Sequence, residues 1–261
     1  MKPSDIAAYI GAAAWLPQIG TWIYGLWTKP KLRIVPSATV MLTYTNLGPA
    51  VQLTASLSTE RRDALIERME LELCHELGEK RHLTWVFVSE YGQQITAPTG
   101  EVINFGRNQP ATAIKITTET LTDRQILLQD PDFAKRAATL GDDVLEHYRF
   151  LKTKEENPMK ALFESKEIRP AREYFERSFY WKPGNYTFEI SLKSASSNQN
   201  HLQKFAVVLS AADSDRLASN CKSFEEYVSA GLLEGDGIPS KYPVWKWVQT
   251  RITPMLVSHP M

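Results

Sequence analysis

Apolar and polar residues alternate with a period of two along much of this chain, in short runs separated by turn-forming residues. Leu32 and Ile34 alternate with Lys31 and Arg33 until Pro36, which cannot extend a ladder. Thr39–Thr45 (TVMLTYT) and Ala50–Ser58 (AVQLTASLS) follow, rich in β-branched and aromatic residues. Between them stands Asn46-Leu47-Gly48-Pro49, where Asn and Gly accept left-handed backbone angles and Pro withholds a donor. In the second run Val51, Leu53, Ala55 and Leu57 face one way, and Gln52, Thr54, Ser56 and Ser58 face the other.

Further on, Met69, Leu71 and Leu73 alternate with Glu70, Glu72 and Cys74, which favours a strand over the helix that the Leu, Glu and Met content also permits. Gly78 marks a turn, and His82–Ser89 (HLTWVFVS) returns; Ala111–Thr118 (ATAIKITT) alternates again. Tyr186, Phe188, Ile190 and Leu192 form one face of a strand that enters from the Pro183-Gly184 turn. The polar run 194–200 reads as a hairpin loop before His201–Ser210. The aromatic stretch "YPVWKWVQTRI" ends the pattern as a last strand or a surface segment.

The period changes between about 131 and 180. Asp130-Pro131 opens a helix over 132–154, with Phe133, Ala137, Leu140, Val144 and His147 at helical spacing. Two shorter helices, 159–164 and 170–179, complete an insertion; two more are expected from Asp213 and from Ser223. Seven or eight strands joined mostly by short polar turns predict a mainly β fold with an α insertion. The specific expectation is an antiparallel β-sandwich over residues 30–261 carrying a helical cap. The Asn-x-Gly turn and the Pro-Gly-x-Tyr strand entry are similar to turns common in immunoglobulin-like domains, so the sandwich is expected to be immunoglobulin-like.

The first 29 residues do not fit this pattern. Ile6–Trp27 carries no charge over 22 residues. As a helix it would reach roughly 33 Å, enough for a hydrocarbon core of about 30 Å. Tyr9 lies near one end and Trp15 mid-way; Trp22, Tyr24 and Trp27 gather at the other end, where Lys29, Lys31 and Arg33 follow at once. Aromatic rings at the ends and a basic flank on one side predict a single-pass anchor at residues 1–29, with the body facing the cytoplasm, as in a bacterial inner-membrane protein. Against this stand five alanines, three glycines and the central Pro17-Gln18 pair, which make the segment modest in hydropathy. A buried or interfacial helix and a signal peptide are the alternatives. Ala7 with Gly11, and Thr21 with Gly25, are spaced so that two helices could approach closely.

Composition narrows the function classes. The chain has 261 residues, 30 basic and 30 acidic, so no net field draws it to nucleic acid, and none is expected as a partner. At 43% hydrophobic and 23% charged it is globular. Cys74 and Cys221 fit a reducing compartment.

There is no G-x-S-x-G, G-x-G-x-x-G or C-x-x-C motif, and the loop Gly235–Lys241 lacks the spacing of a phosphate loop. Cys74, His75 and His82 would supply at most half a zinc site, so neither metal nor cofactor is expected. Asp143 and His147 lie one helical turn apart, beside Asp142 and Glu146, on a face that reads as solvated. Two aromatic windows suggest an interaction patch of Tyr180, Trp181, Tyr242, Trp245 and Trp247.

The function expected is therefore binding without catalysis. The anchor would contact membrane lipid, and the body a protein partner or a second copy, in the manner of parts of membrane-associated stress or defence assemblies. The alternatives are a hydrolase-like enzyme using Asp143, His147 or Glu167, and a sensor that holds a small ligand beneath the helical insertion.

Overall fold

The computed structural model describes residues 15–24, 30–90, 94–96, 102–104, 107–118, 121–195 and 197–255. Its strands are β1 (Lys31–Thr45), β2 (Gly48–Glu60), β3 (Ala64–His75), β4 (Lys80–Glu90), β5 (Gln94–Thr96), β6 (Val102–Asn104), β7 (Arg107–Pro110), β8 (Ile114–Ile116), β9 (Thr122–Gln129), β10 (Gly184–Ser194), β11 (Ser197–Leu209) and β12 (Trp247–Pro254). Its helices are α1 (Pro131–Lys152), α2 (Pro158–Glu164), α3 (Arg169–Arg177), α4 (Ala211–Ala218) and α5 (Phe224–Gly235), with a 3₁₀ turn (Ser219–Ser223) before α5.

β5 and β6 pair with each other separately, and eight of the remaining strands form one closed barrel, not two packed sheets. Around it run β1, β2, β9, β4, β3, β10, β11 and β12, every neighbouring pair antiparallel. Two contacts achieve closure: β3 pairs with β4 from Glu70↔Thr84 to Cys74↔Lys80, and β12 bridges β1 and β11. The expected immunoglobulin-like sandwich is thus overturned. Alternation fixes which side chains point inward, and a sandwich and a barrel demand the same alternation.

The barrel is filled by its own side chains. Leu42, Val51, Leu53, Leu71, Leu73, Leu83, Ile126, Phe188 and Val207 are all buried in one continuous core, as expected for eight strands. At one end β3 and β4 part, and β8 pairs with β3 while β7 pairs with β4; the buried Ile114 and Ile116 complete the core there.

Several local features follow from the residues. β1 does not end at Pro36. The pairing moves from Pro36↔Ala55 to Val40↔Leu53, four residues against two, so β1 carries two extra residues and keeps its inward face. The run 194–200 is mostly strand, with β10 and β11 extending to Ser194 and from Ser197. β9 has a weak apolar pattern but pairs on both sides, with β2 and β4.

Helices α1 to α5 attach at the same barrel end, where β1, β3, β9 and β11 finish. Asp130 caps α1 by accepting from the backbone N–H of Asp132 and of Phe133, both at 3.0 Å, and Pro131 occupies the first turn. α1, α2, α3 and α5 enclose a second small core of Leu140, Val144, Tyr148, Leu162, Ile168 and Leu232.

The helical layer is joined to the barrel by buried hydrogen bonds at the end of β1. Trp181 Nε1–H donates to Thr43 O at 2.7 Å, and Ser214 Oγ–H donates to Trp181 O at 2.6 Å. Asn220 Nδ2 donates to Tyr44 O at 2.9 Å and to Lys246 O at 3.0 Å, and its Oδ1 accepts from Lys246 N–H at 2.9 Å. The Tyr44 hydroxyl donates to Phe175 O. Trp181 and Tyr44 are fully buried, and Asn220 is 1% exposed.

The expected membrane span is also corrected. Among the described residues no helix is long and apolar enough to cross a membrane. The helix described over 15–24 contains Pro17, Gln18, Gly20 and Thr21, and Thr21 Oγ1–H turns back to Pro17 O at 2.8 Å. Lys31 and Arg33, expected as the basic border of the anchor, belong to a strand. They stand on the outer face of β1, 3.9 Å and 3.2 Å from the Glu60 carboxylate. Tyr9, Trp27 and Lys29 lie outside the described residues.

Two predictions follow from the joint. Asn220→Ala leaves Tyr44 O and Lys246 N–H buried without their partner, so urea unfolding should show a loss of about 2–4 kcal/mol. Burial raises the pKa of the Tyr180 hydroxyl to about 12 and those of Tyr44 and Tyr186 further. Unfolded tyrosines ionise near pH 10, so their contribution to stability is complete below that pH. As pH rises from 10 towards 12 the unfolded chain sheds protons the native one keeps, and the urea midpoint should fall. A midpoint flat from pH 9 to 12 would contradict the burial of these hydroxyls.

Candidate functional site

The most developed cavity lies beneath the helical insertion, outside the barrel. It is an open cleft of about 450 Å³ between α1, α3, α5 and the turn joining β1 to β2. That volume is in the range of sites that take small molecules or one face of a peptide. None of its lining residues is charged.

Its aromatic wall is continuous. Phe133 stacks on Tyr174 with centroids 5.1 Å apart, Phe175 lies 5.4 Å from Phe224, and Trp245 lies 5.9 Å from Tyr227. α1 adds small residues to the lining, Ala134, Ala137, Ala138 and Gly141 at helical spacing, alongside Leu140, Val144 and Leu145. Polar atoms are few. Asn46 Nδ2 donates to the Tyr227 hydroxyl at 3.0 Å across the mouth. Burial raises the pKa of the Tyr174 hydroxyl, so at neutral pH it stays a neutral donor.

The wall is fixed by the fold beneath it. Gly48, at φ +83°, brings the β1–β2 turn so close to Phe133 that a Cβ there would stand 2.5 Å from the ring. Phe133 also meets Tyr44 edge-on, with centroids 6.0 Å apart. Cys221 packs against the same core, and burial pushes its thiol up to about 11, which leaves it a poor nucleophile.

The aromatic residues expected to form one patch are dispersed. Tyr180 and Trp181 are buried in the joint, at 3% and 0% exposure. Trp245 lines the cleft, ahead of the strand it was expected to share with Trp247. Trp247 is half-buried at the start of β12. Tyr242 is exposed beside Tyr227, its hydroxyl donating to the Glu234 carboxylate.

Of the expected chemical groups, His147 and Glu167 come together and the others stand apart. Asp142, Asp143 and Glu146 are exposed on α1, while His147 Nε2 sits 3.6 Å from the Glu167 carboxylate. That carboxyl is held low, first by its own backbone N–H and to a lesser degree by His147. His75 is buried with Nε2 3.1 Å from Pro183 O, whereas His82 is on the outer surface 3.8 Å from Glu70. Among the described residues no group of three His, Cys, Asp or Glu could hold a metal ion.

Another cavity, of about 500 Å³, opens where β1 and β11 separate beyond the end of β12. Gln203 Oε1 spans that gap, accepting from Ile34 N–H at 3.0 Å. Lys31 and Arg33 pair with Glu60 and Lys204 with Glu189 at 2.7 Å, while His201 Nε2 is buried without a partner among the described residues and burial holds its pKa low. The cleft under the cap, walled by aromatic rings, is the more apolar of the two.

Two glycines on the cleft should respond oppositely to alanine. Gly48→Ala forces a side chain into left-handed backbone and against Phe133, and should cost about 2–4 kcal/mol in urea unfolding. Gly141 has nothing within 4 Å of a built Cβ and lies within α1. Gly141→Ala should gain roughly 0.5–1 kcal/mol by the same measurement.

No known protein family matches the chain, and no curated protein does. Among solved structures the chain is similar to a family 123 glycoside hydrolase from Clostridium perfringens, described in connection with glycolipid glycan hydrolysis, at 10% identity and a TM-score of 0.32. The likeness covers 70% of this chain, which spans 28% of that protein's length. At that distance it carries no argument about activity.

Proposed function

We propose that this chain is a binding protein whose receptor surface is the cleft under the helical cap, and that it takes an uncharged, apolar group there. The observation that carries this reading is the cleft's lining: aromatic rings, aliphatic side chains and small residues, no charged residue, and a volume of about 450 Å³. A charged ligand would lose its hydration there without a partner. An apolar one would gain from leaving water and needs only the Asn46 and Tyr227 groups to orient it.

Support for binding over chemistry comes from the placement of the reactive groups. The carboxylates of Asp142 and Asp143 point to solvent, and the Cys221 thiol is held protonated. General acid–base chemistry needs such groups gathered at one substrate position, shielded from water. Cys74 and Cys221 are both free thiols, in keeping with residence in a reducing compartment.

The test uses N-phenyl-1-naphthylamine, an uncharged dye that fluoresces in apolar surroundings. Gly141→Trp places an indole in the cleft from a position where a Cβ meets nothing within 4 Å, so the fold should tolerate it. The wild-type protein should bind the dye saturably, and Gly141→Trp should weaken binding at least about tenfold, near 1.4 kcal/mol. Unchanged dye affinity in a Gly141→Trp protein with normal thermal unfolding would refute the reading.

A further inference from the structure

Two half-buried polar side chains meet at the mouth of the cleft under the cap. Asn46 comes from the turn between β1 and β2, and Tyr227 from α5; Asn46 Nδ2 donates to the Tyr227 hydroxyl at 3.0 Å. Among the described residues no other group hydrogen-bonds to either side chain. Their one bond uses a single amide N–H and a single lone pair of the hydroxyl. It leaves the Asn46 side-chain carbonyl as an acceptor and the Tyr227 O–H as a donor, both on the cleft lining.

We propose that this pair reads a cis-amide edge, so that the ligand of the cleft is a flat, uncharged ring with an N–H beside a C=O, as in a lactam. The inference names the class of ligand for the apolar site described above, and rests on that reading.

The edge follows from the spacing of the pair. The two polar atoms of a side-chain amide lie roughly 2.2 Å apart, so Asn46 Oδ1 stands within roughly 5 Å of the tyrosine oxygen. A donor and an acceptor at that separation are met together by neighbouring ligand atoms that point the same way. A cis amide in a ring is built so, whereas the trans amide of a peptide points its N–H and C=O in opposite directions. Turned over, the Asn46 amide would accept from the tyrosine and offer its N–H groups, while the tyrosine oxygen kept a lone pair. One donor and one acceptor face the ligand in either sense, and a cis amide answers both.

The walls favour a ring. Phe133 and Tyr174 lie within 24° of parallel, and Tyr227 is itself backed by Trp245. Aromatic faces and edges suit a flat π system, and a rigid ring has no torsions to freeze on entry. No charged residue lines the cleft, so the amide belongs to a neutral ring. A ring that enters must strip water from the two polar groups, and one that cannot restore their bonds loses affinity.

Isothermal titration calorimetry with two matched probes tests this. 2-Quinolinone carries the whole edge; N-methyl-2-quinolinone keeps the carbonyl and lacks the N–H. The wild type should bind the first about tenfold more tightly. The double variant Asn46→Ala, Tyr227→Phe should bring the probes to within about twofold of each other. A preference that came only from the bulk of the methyl group would persist in that variant. Gly141→Trp should weaken both probes, which places them in the cleft.

Equal binding of the probes by the wild type, binding of neither, a preference that the double variant keeps, or probes indifferent to Gly141→Trp would each overturn the lactam assignment. If the naphthylamine dye still binds the wild type and Gly141→Trp weakens it, the cleft remains an apolar site and only the ligand class fails. A wild type that binds neither dye nor probe removes both readings.

Discussion

The arrangement of this protein depends on Thr43 and Tyr44, close to the end of β1. Thr43 O accepts the indole N–H of Trp181, and Tyr44 O accepts the side-chain amide of Asn220. Every one of these groups is buried, and leaving any without a partner would cost more than the bond itself contributes in water. The barrel and the helical layer therefore cannot slide past one another. Asn220 acts as a segment of backbone would, donating to one strand and exchanging bonds with Lys246 at the entry to the next, so it also helps hold β12 in the place that closes the barrel.

That joint decides where binding can occur. An eight-stranded barrel can hold a ligand inside, but here Tyr44, Phe188, Trp85 and the aliphatic residues of every strand fill the interior. The cleft therefore lies outside the barrel interior, where helices meet the barrel's end. The cleft walls are continuous with the joint, since Phe175 accepts the Tyr44 hydroxyl through its carbonyl and faces Trp245 with its ring. Phe133 is pressed against Gly48 at the β1–β2 turn. The apolar surface is thus offered on a rigid support and keeps its shape without an occupant, which lowers the ordering cost of binding.

How much of this was legible in the sequence differs by element. The alternation in β2, β3 and β10 names their inward residues correctly, because a half-buried strand has no other way to be built. Asp130-Pro131 marks the start of α1 for a local reason, the cap and the missing N–H. Closure was not legible: it rests on pairings such as Leu71↔Leu83 and Met41↔Gln249, which connect distant segments and leave no local mark. β9 escaped because only Ile126 and Leu128 point inward with the pattern, and its stability comes from neighbours on both sides.

The N-terminal segment misled through its flank. Lys31 and Arg33 resemble the basic border of a membrane helix, yet they are the outward residues of a strand whose inward partners are Leu32 and Ile34. The cleft itself had one readable sign, the spacing of Ala134, Ala137, Ala138 and Gly141, but that spacing acquires meaning only once Phe133, Tyr174 and Trp245 are brought opposite it by the fold.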